Sequence, residues 1–205
     1  MKYKGIIFDL DGVICFTDKY HYLAWKRLAD KLGIYFDETI NNRLRGVSRM
    51  ESLEIILEKS TKKYSKEEKE DFAEQKNKMY VELLEDMTPA DLPKEVKTTL
   101  DDLRKQGVLL AIGSSSKNAK RILKHLGLEN YFDAISDGTN ITKSKPDPEV
   151  FLKAAEYLQL EPQECLVVED AVAGIKAATD GGFDSAGLGE ASECEMTTYP
   201  LSGFA

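Results

Sequence analysis

Short apolar, β-prone runs alternate with amphipathic helical segments, and this alternation constrains the fold more than any other feature of the chain. "YKGIIFDL", "VLLAIGS", "FDAIS" and "ECLVVED" read as strands. Between and after them, "PKEVKTTLDDLRKQG" reads as a helix with Val96, Leu100 and Leu103 on one face and Gly107 as its terminator. "KNAKRILKHLG" ends on Gly127, and "AVAGIKAATDGG" closes on glycines. In "DPEVFLKAAEYLQL" the spacing predicts Asp147 at the N-cap and Pro148 at the first helical position. Strands joined through helices pair side by side in the same direction, so the expectation is an α/β fold with a parallel sheet covered on both faces.

Residues 17–87 have a different texture and contain no convincing strand. Trp25, Leu28 and Leu32 follow helical spacing up to Gly33. Ser48 with Glu51, and Ser65 with Glu68, are capping-box pairs that open two further helices. The charged run "KSTKKYSKEEKED" is a solvated connection. The prediction is an α-helical bundle at 17–87, inserted into an α/β core made of 1–16 and 88–205, with hinges near 14–18 and 84–90.

The 205 residues carry a net charge of -8, which argues against nucleic acid as a partner. No apolar run reaches membrane length, and the chain enters a strand almost at once, without a secretory apolar region. Cys15, Cys165 and Cys194 show no metal-ligand spacing and suit no simple disulfide framework. A cytoplasmic location is expected.

The polar residues gather where the strands end. Side chains two apart on a strand point the same way, so Asp9 and Asp11 lie together at the carboxyl end of the first strand, where Gly12 lets the chain turn. Ser114, Ser115 and Ser116 follow the second strand, Lys145 precedes a helix, and Glu169 and Asp170 end "ECLVVED". Ligands bind at this edge of an open parallel sheet. Four acids converging there require a cation, and an oxygen-only set suits Mg²⁺. Ser114 and the N–H groups after it can hold phosphate oxygens, and Lys145 can neutralise both an aspartate and a phosphate. Elsewhere, Lys76 shares a helical face with Phe72, Met79, Tyr80 and Leu83, where a charge is unexpected. It either snorkels along the helix or faces a crevice. His21 and Trp25 lie one turn apart, an arrangement that on its own reads as packing. His125 reads as a helix-surface residue.

As a set, "DLDG", Ser114 after an apolar strand, Lys145 before "PDP", and "VVEDAVAGI" resemble the four signatures of the haloacid dehalogenase superfamily. "YHYLAWKRLADKLGI", "RGVSRMESL", "QKNKMY" and "SSSKNA" are similar to the β-phosphoglucomutase family within it. The resemblance implies a Rossmann-like core with an inserted helical cap. It also implies a Mg²⁺-dependent exchange of β-D-glucose 1-phosphate and glucose 6-phosphate, with glucose 1,6-bisphosphate as primer and intermediate. Asp9 would be the nucleophile and Asp11 the general acid and base. Ser114 and Lys145 would hold the phosphoryl group. Mg²⁺ would take Asp9, the Asp11 backbone carbonyl, Asp170 and Glu169. Substrate would meet His21, Trp25, Gly46, Val47, Ser48, Arg49 and Lys76 in the cap, and Ser115, Ser116, Lys117 and Asn118 in the core. The cap would close to keep water from the phospho-aspartate. A monomer acting on a small sugar phosphate is expected.

Two departures stand out. The family's usual Asp-Thr after the first signature reads Phe16-Thr17, and the tail "GEASECEMTTYPLSGFA" carries no resemblance, so the closing edge of the sheet is not legible. The core signatures fit a sugar-phosphate phosphatase equally well. A phospho-accepting receiver-like module would also use such a cluster, but it does not account for the order of sites and the inserted helices; a silent sugar-phosphate binding protein is a third alternative.

Overall fold

The computed structural model describes residues 2–44 and 47–204. In chain order the elements are β1 (Gly5–Phe8), α1 (Asp18–Leu32), α2 (Glu38–Asn42), α3 (Arg49–Leu57), α4 (Lys66–Leu84) and α5 (Lys94–Lys105). There follow β2 (Leu109–Gly113), α6 (Ala119–His125), β3 (Ala134–Ser136), α7 (Glu149–Leu158), β4 (Cys165–Glu169), α8 (Val172–Asp180), β5 (Asp184–Gly187) and β6 (Tyr199–Pro200). Two compact units result, residues 1–16 with 88–205, and residues 17–87. Among the described residues no helix is long and apolar enough to cross a membrane.

The first unit is built on a six-stranded sheet of order β3-β2-β1-β4-β5-β6. Every described pairing is parallel. The central β1 is buried along its whole length, as a strand covered on both faces must be. One layer of core consists of Ile7, Ala111, Val150, Phe151, Ala154 and Val167 with Phe183. After β3 the chain returns past β1 to form β4, so the strand order reverses between β1 and β4. In such sheets the crevice outside the carboxyl ends of these two strands is the ligand position.

Helix ends follow their sequence signals. Gly33 and Gly107 take the left-handed conformation (φ 69° and 78°) just past α1 and α5. Both capping boxes form, Ser48 with Glu51 and Ser65 with Glu68. One boundary is shifted from its prediction. Pro148, not Asp147, is the N-cap of α7, and Asp147 instead accepts from Glu149 N at 3.0 Å.

In the second unit, Trp25, Leu28, Ile34, Phe36, Leu53 and Ile56 share one core with Ala73. It contains the short helix α2, which periodicity does not reveal because five residues span little more than one turn. Its start is marked by Asp37, whose carboxylate accepts from Ile40 N at 2.9 Å. The closing edge of the sheet is β5 and then the two-residue β6. That edge is fastened by side chains rather than length: Tyr3 Oη donates to Asp184 at 2.5 Å and lies 2.9 Å from Tyr199 Oη. Beyond β6, Phe204 stacks on Phe8 with ring centroids 6.4 Å apart.

Candidate active site

Asp9 directly follows β1, and Glu169 ends β4. Strand pairing therefore brings them side by side at the point where the strand order reverses. Asp9 N donates to Val168 O at 2.9 Å, which carries the β1–β4 pairing one residue further. Ligand oxygens of Asp9, Glu169 and Asp170 all lie within 4.8 Å of one another. Two glycines permit this density. A Cβ on Gly12 (φ +89°) would stand 2.0 Å from Asp170 Oδ2, and a Cβ on Gly174 would stand 2.0 Å from the Glu169 carboxylate. Glu169 is further fixed by Asp170 N and Ala171 N, each donating to Oε2 at 3.0 Å.

Lys145 is 4% exposed, and its ammonium group lies between two of these acids. It donates to Asp9 Oδ1 at 2.6 Å and to Glu169 Oε1. Burial pulls its pKa down, but the charges of Asp9 and Glu169 outweigh burial and raise it. The acids are strained in the opposite sense. Burial, reinforced by the charges of Asp9 and Glu169, pushes Asp170 up to about 8. Glu169 also rises, chiefly through burial and against the pull of Lys145. One ammonium does not balance three crowded carboxylates. Three crowded hard oxygen donors, with the proton affinity of Glu169 and Asp170 raised, are a donor set that fits a divalent cation such as Mg²⁺.

The loop after β2 is shaped by its own serines. Ser114 is buried, and its N donates to Ser136 O at 3.1 Å. Its Oγ accepts from Ser116 N, and Ser116 Oγ accepts from Asn118 N, both at 3.2 Å. These short side chain–backbone bonds wind the loop into α6. Ser115 Oγ accepts from Lys145 N at 3.5 Å, tying this loop to the one that carries the lysine. Lys117 is exposed.

In the helical unit, Lys76 on α4 is 3% exposed. Its Nζ lies 2.9 Å from His21 Nδ1 on α1, 4.7 Å from the Trp25 ring centroid and 4.6 Å from that of Tyr80. Tyr80 stacks on His21 at 4.1 Å. Burial, helped by the charges of Lys76 and Arg49, holds His21 well below its usual pKa. Burial also lowers the pKa of Arg49, which stands at the start of α3. Ser48 is the N-cap of α3, and Val47 is half-buried beside it. Gly46 lies outside the described residues.

A family model described as haloacid dehalogenase-like hydrolase matches residues 3–182. The chain belongs to the haloacid dehalogenase-like hydrolase family. Within that family it is 43% identical over 189 residues to a β-phosphoglucomutase of Bacillus subtilis, covering 91% of this chain and 84% of that protein. It is 32% identical to a phosphorylated carbohydrates phosphatase of Thermotoga maritima, covering 88% and 82% of the two chains. A crystal structure of a β-phosphoglucomutase from Clostridium difficile superposes with a TM-score of 0.92 at 41% identity, covering 98% of this chain and 92% of the other.

The structure brings the four core signatures of this haloacid dehalogenase-like chain to one sheet edge and draws His21, Trp25 and Lys76 into one cluster. The carboxylate trio is Asp9, Glu169 and Asp170; the Asp11 side chain is not part of it. The sequence places Tyr80 on the Lys76 face without pairing the two. Tyr80 closes the Lys76–His21 cluster, and its position one turn after Lys76 was an available signal. Glu149 reads from sequence as an ordinary acid in the first turn of α7.

Proposed function

We propose that this chain is a β-phosphoglucomutase that interconverts β-D-glucose 1-phosphate and glucose 6-phosphate. The observation that carries the reading is the 43% identity to the Bacillus relative across nine-tenths of the chain, against 32% for the phosphatase relative. The cluster of Lys76 and His21 in the helical unit supports it, since a mutase must hold a second phosphate.

In this reading the carboxylate of Asp9 carries the phosphoryl group as an acyl phosphate. The 6-hydroxyl of β-glucose 1-phosphate attacks phosphorus, the Asp9–phosphorus bond breaks, and Asp11 takes the hydroxyl proton. The product is glucose 1,6-bisphosphate, which also serves as primer. After it turns end for end, Asp9 attacks the 1-phosphoryl group, and Asp11 returns its proton as the C1–O oxygen leaves phosphorus. Glucose 6-phosphate departs and phospho-Asp9 is restored. Lys145, Ser114 and the N–H groups after it stabilise the transferring phosphoryl oxygens, with Ser115, Ser116, Lys117 and Asn118 along the same loop. Arg49, Lys76, His21 and Trp25, with the 46–48 backbone, hold the far phosphate and the sugar. Mg²⁺, held by Asp9, Asp170, Glu169 and the Asp11 carbonyl, supplies charge neutralisation when bound. A monomeric state and a cytoplasmic location belong to the same proposal.

The test is turnover of β-glucose 1-phosphate with Mg²⁺ and catalytic glucose 1,6-bisphosphate. Glucose 6-phosphate should form mole for mole, without inorganic phosphate. Release of phosphate at the rate of substrate loss would overturn the mutase reading in favour of a phosphatase.

A further inference from the structure

Lys145 sits on an irregular segment, and a flexible four-carbon side chain can place its ammonium precisely only if the backbone beneath it is fixed. The first turn of α7 contains the fixing group. The Glu149 carboxylate accepts from Thr142 N (3.1 Å to Oε1, 3.0 Å to Oε2), from Thr142 Oγ1 at 2.9 Å and from Lys143 N at 2.8 Å. It closes the loop from Thr142 to Glu149 at its base, with Lys145 inside that loop. We propose that Glu149 is a positioning residue for the phosphoryl-transfer reaction, acting through Lys145.

The same helix stripe extends the tie. Lys153, four residues on, donates to Asn140 O and stands 3.5 Å from Glu149. Tyr157, a further four on, accepts from Asn140 Nδ2 at 2.9 Å. Residues at i, i+4 and i+8 of α7 thus hold the loop at two places, Glu149 at Thr142 and Lys143, and Lys153 with Tyr157 at Asn140. An acid in the first turn of a helix needs no such partners, because the helix dipole and water suffice for it. Here its oxygens are spent on backbone groups six and seven residues earlier. The loop's N–H groups draw its pKa down to about 2, so it stays ionised throughout the working range. Across the loop, Lys145 N meets Ser115 Oγ, so displacing the base would also loosen the phosphate-side loop.

The proposal rests on the reading of Lys145 as the cation at the transferring phosphoryl group. The experiment is a double-mutant cycle with Glu149→Ala and Lys145→Ala, repeated with Glu149→Gln in case the alanine variant does not fold. Two reactions are followed: mutase turnover and hydrolysis of p-nitrophenyl phosphate. Misplacing a catalytic group by about 1 Å can cost ~100-fold. Glu149→Ala should therefore lower kcat about 10- to 100-fold, with the KM for sugar phosphate changed less than about threefold. In the Lys145→Ala background the same change should cost less than about twofold. Unchanged kcat, or an equal loss with Lys145 already removed, would overturn the proposal. Wild-type protein that only hydrolyses its substrate would remove the mutase reading while leaving the cycle readable.

Discussion

The Nζ of Lys76 lies 2.9 Å from Nδ1 of His21, with the Trp25 and Tyr80 rings each within 5 Å of that ammonium. An ammonium has no lone pair, so with Lys76 charged the imidazole must accept at Nδ1 and carry its proton at Nε2. Burial is the first reason that His21 resists protonation, and the lysine charge is the second. The chain has two histidines, so proton NMR can follow each of them separately. His21 should stay neutral well below pH 6.5, while Lys76→Met should move its titration upward. As pH falls below about 6.5, the unfolded chain binds this proton before the folded one does, so this group's contribution to stability is lost on the acid side. Lys76→Met should also raise the sugar-phosphate KM about 10- to 100-fold, consistent with losing a charge-assisted hydrogen bond worth ~1.5–3 kcal/mol. A His21 titrating normally in the wild-type protein would contradict this picture.

Asp9 has a distinct signature in the proposed reaction. Asp9→Asn keeps the side chain's size but removes the nucleophile, so turnover should fall by at least about a thousandfold. Acid-quenched wild-type enzyme given labelled bisphosphate should carry label on the peptide that contains residue 9, and the variant should carry none. Label on any other side chain would reassign the nucleophile.

The sheet and the core of the site were legible because both rest on strong local signals. Apolar runs ending in Asp9, Ser114 and Glu169 specify strand ends, and parallel pairing then collects those ends at one edge. The Lys76 cluster was half legible: the charge on an apolar helix face was visible, but its partner His21 is 55 residues away. The closing edge was illegible because β6 has two residues, one of them proline, and is held by the Tyr3–Asp184–Tyr199 contacts. Glu149 was missed for a related reason. Its role depends on loop backbone that comes into reach only when the chain folds back onto α7.

Gly174 offers a way to disturb the acid cluster without touching an acid. A Cβ there would meet the Glu169 carboxylate at 2.0 Å, and its backbone is ordinary helix, so the effect of Gly174→Ala is steric displacement. Groups that orient metal ligands typically contribute ~10–100-fold to metal affinity. Mg²⁺ affinity should fall within that range, as measured by calorimetric titration, and saturating Mg²⁺ should recover part of the lost activity. Unchanged Mg²⁺ binding would mean that Glu169 is not needed to hold the ion.

The raised pKa of Asp170 links metal, protons and stability. Burial and its acidic neighbours lift it from 3.8 to about 8 in the metal-free protein. Between those values the folded chain holds a proton that the unfolded chain has released, so stability falls as pH rises across that window. A divalent cation reverses the balance, because it binds the ionised carboxylate and expels the proton. The Mg²⁺-induced rise in Tm should therefore grow from pH 5 to pH 9 in calorimetric scans. Titrations at pH 6 in buffers of different ionisation enthalpy should show about one proton released per Mg²⁺, and nearly none above pH 9. Asp170→Asn should flatten the pH dependence of the metal-free Tm and weaken Mg²⁺ binding. A metal-free wild-type protein that gains stability from pH 5 to pH 8, with no proton released on Mg²⁺ binding, would show that the acids of this cluster are not crowded in solution.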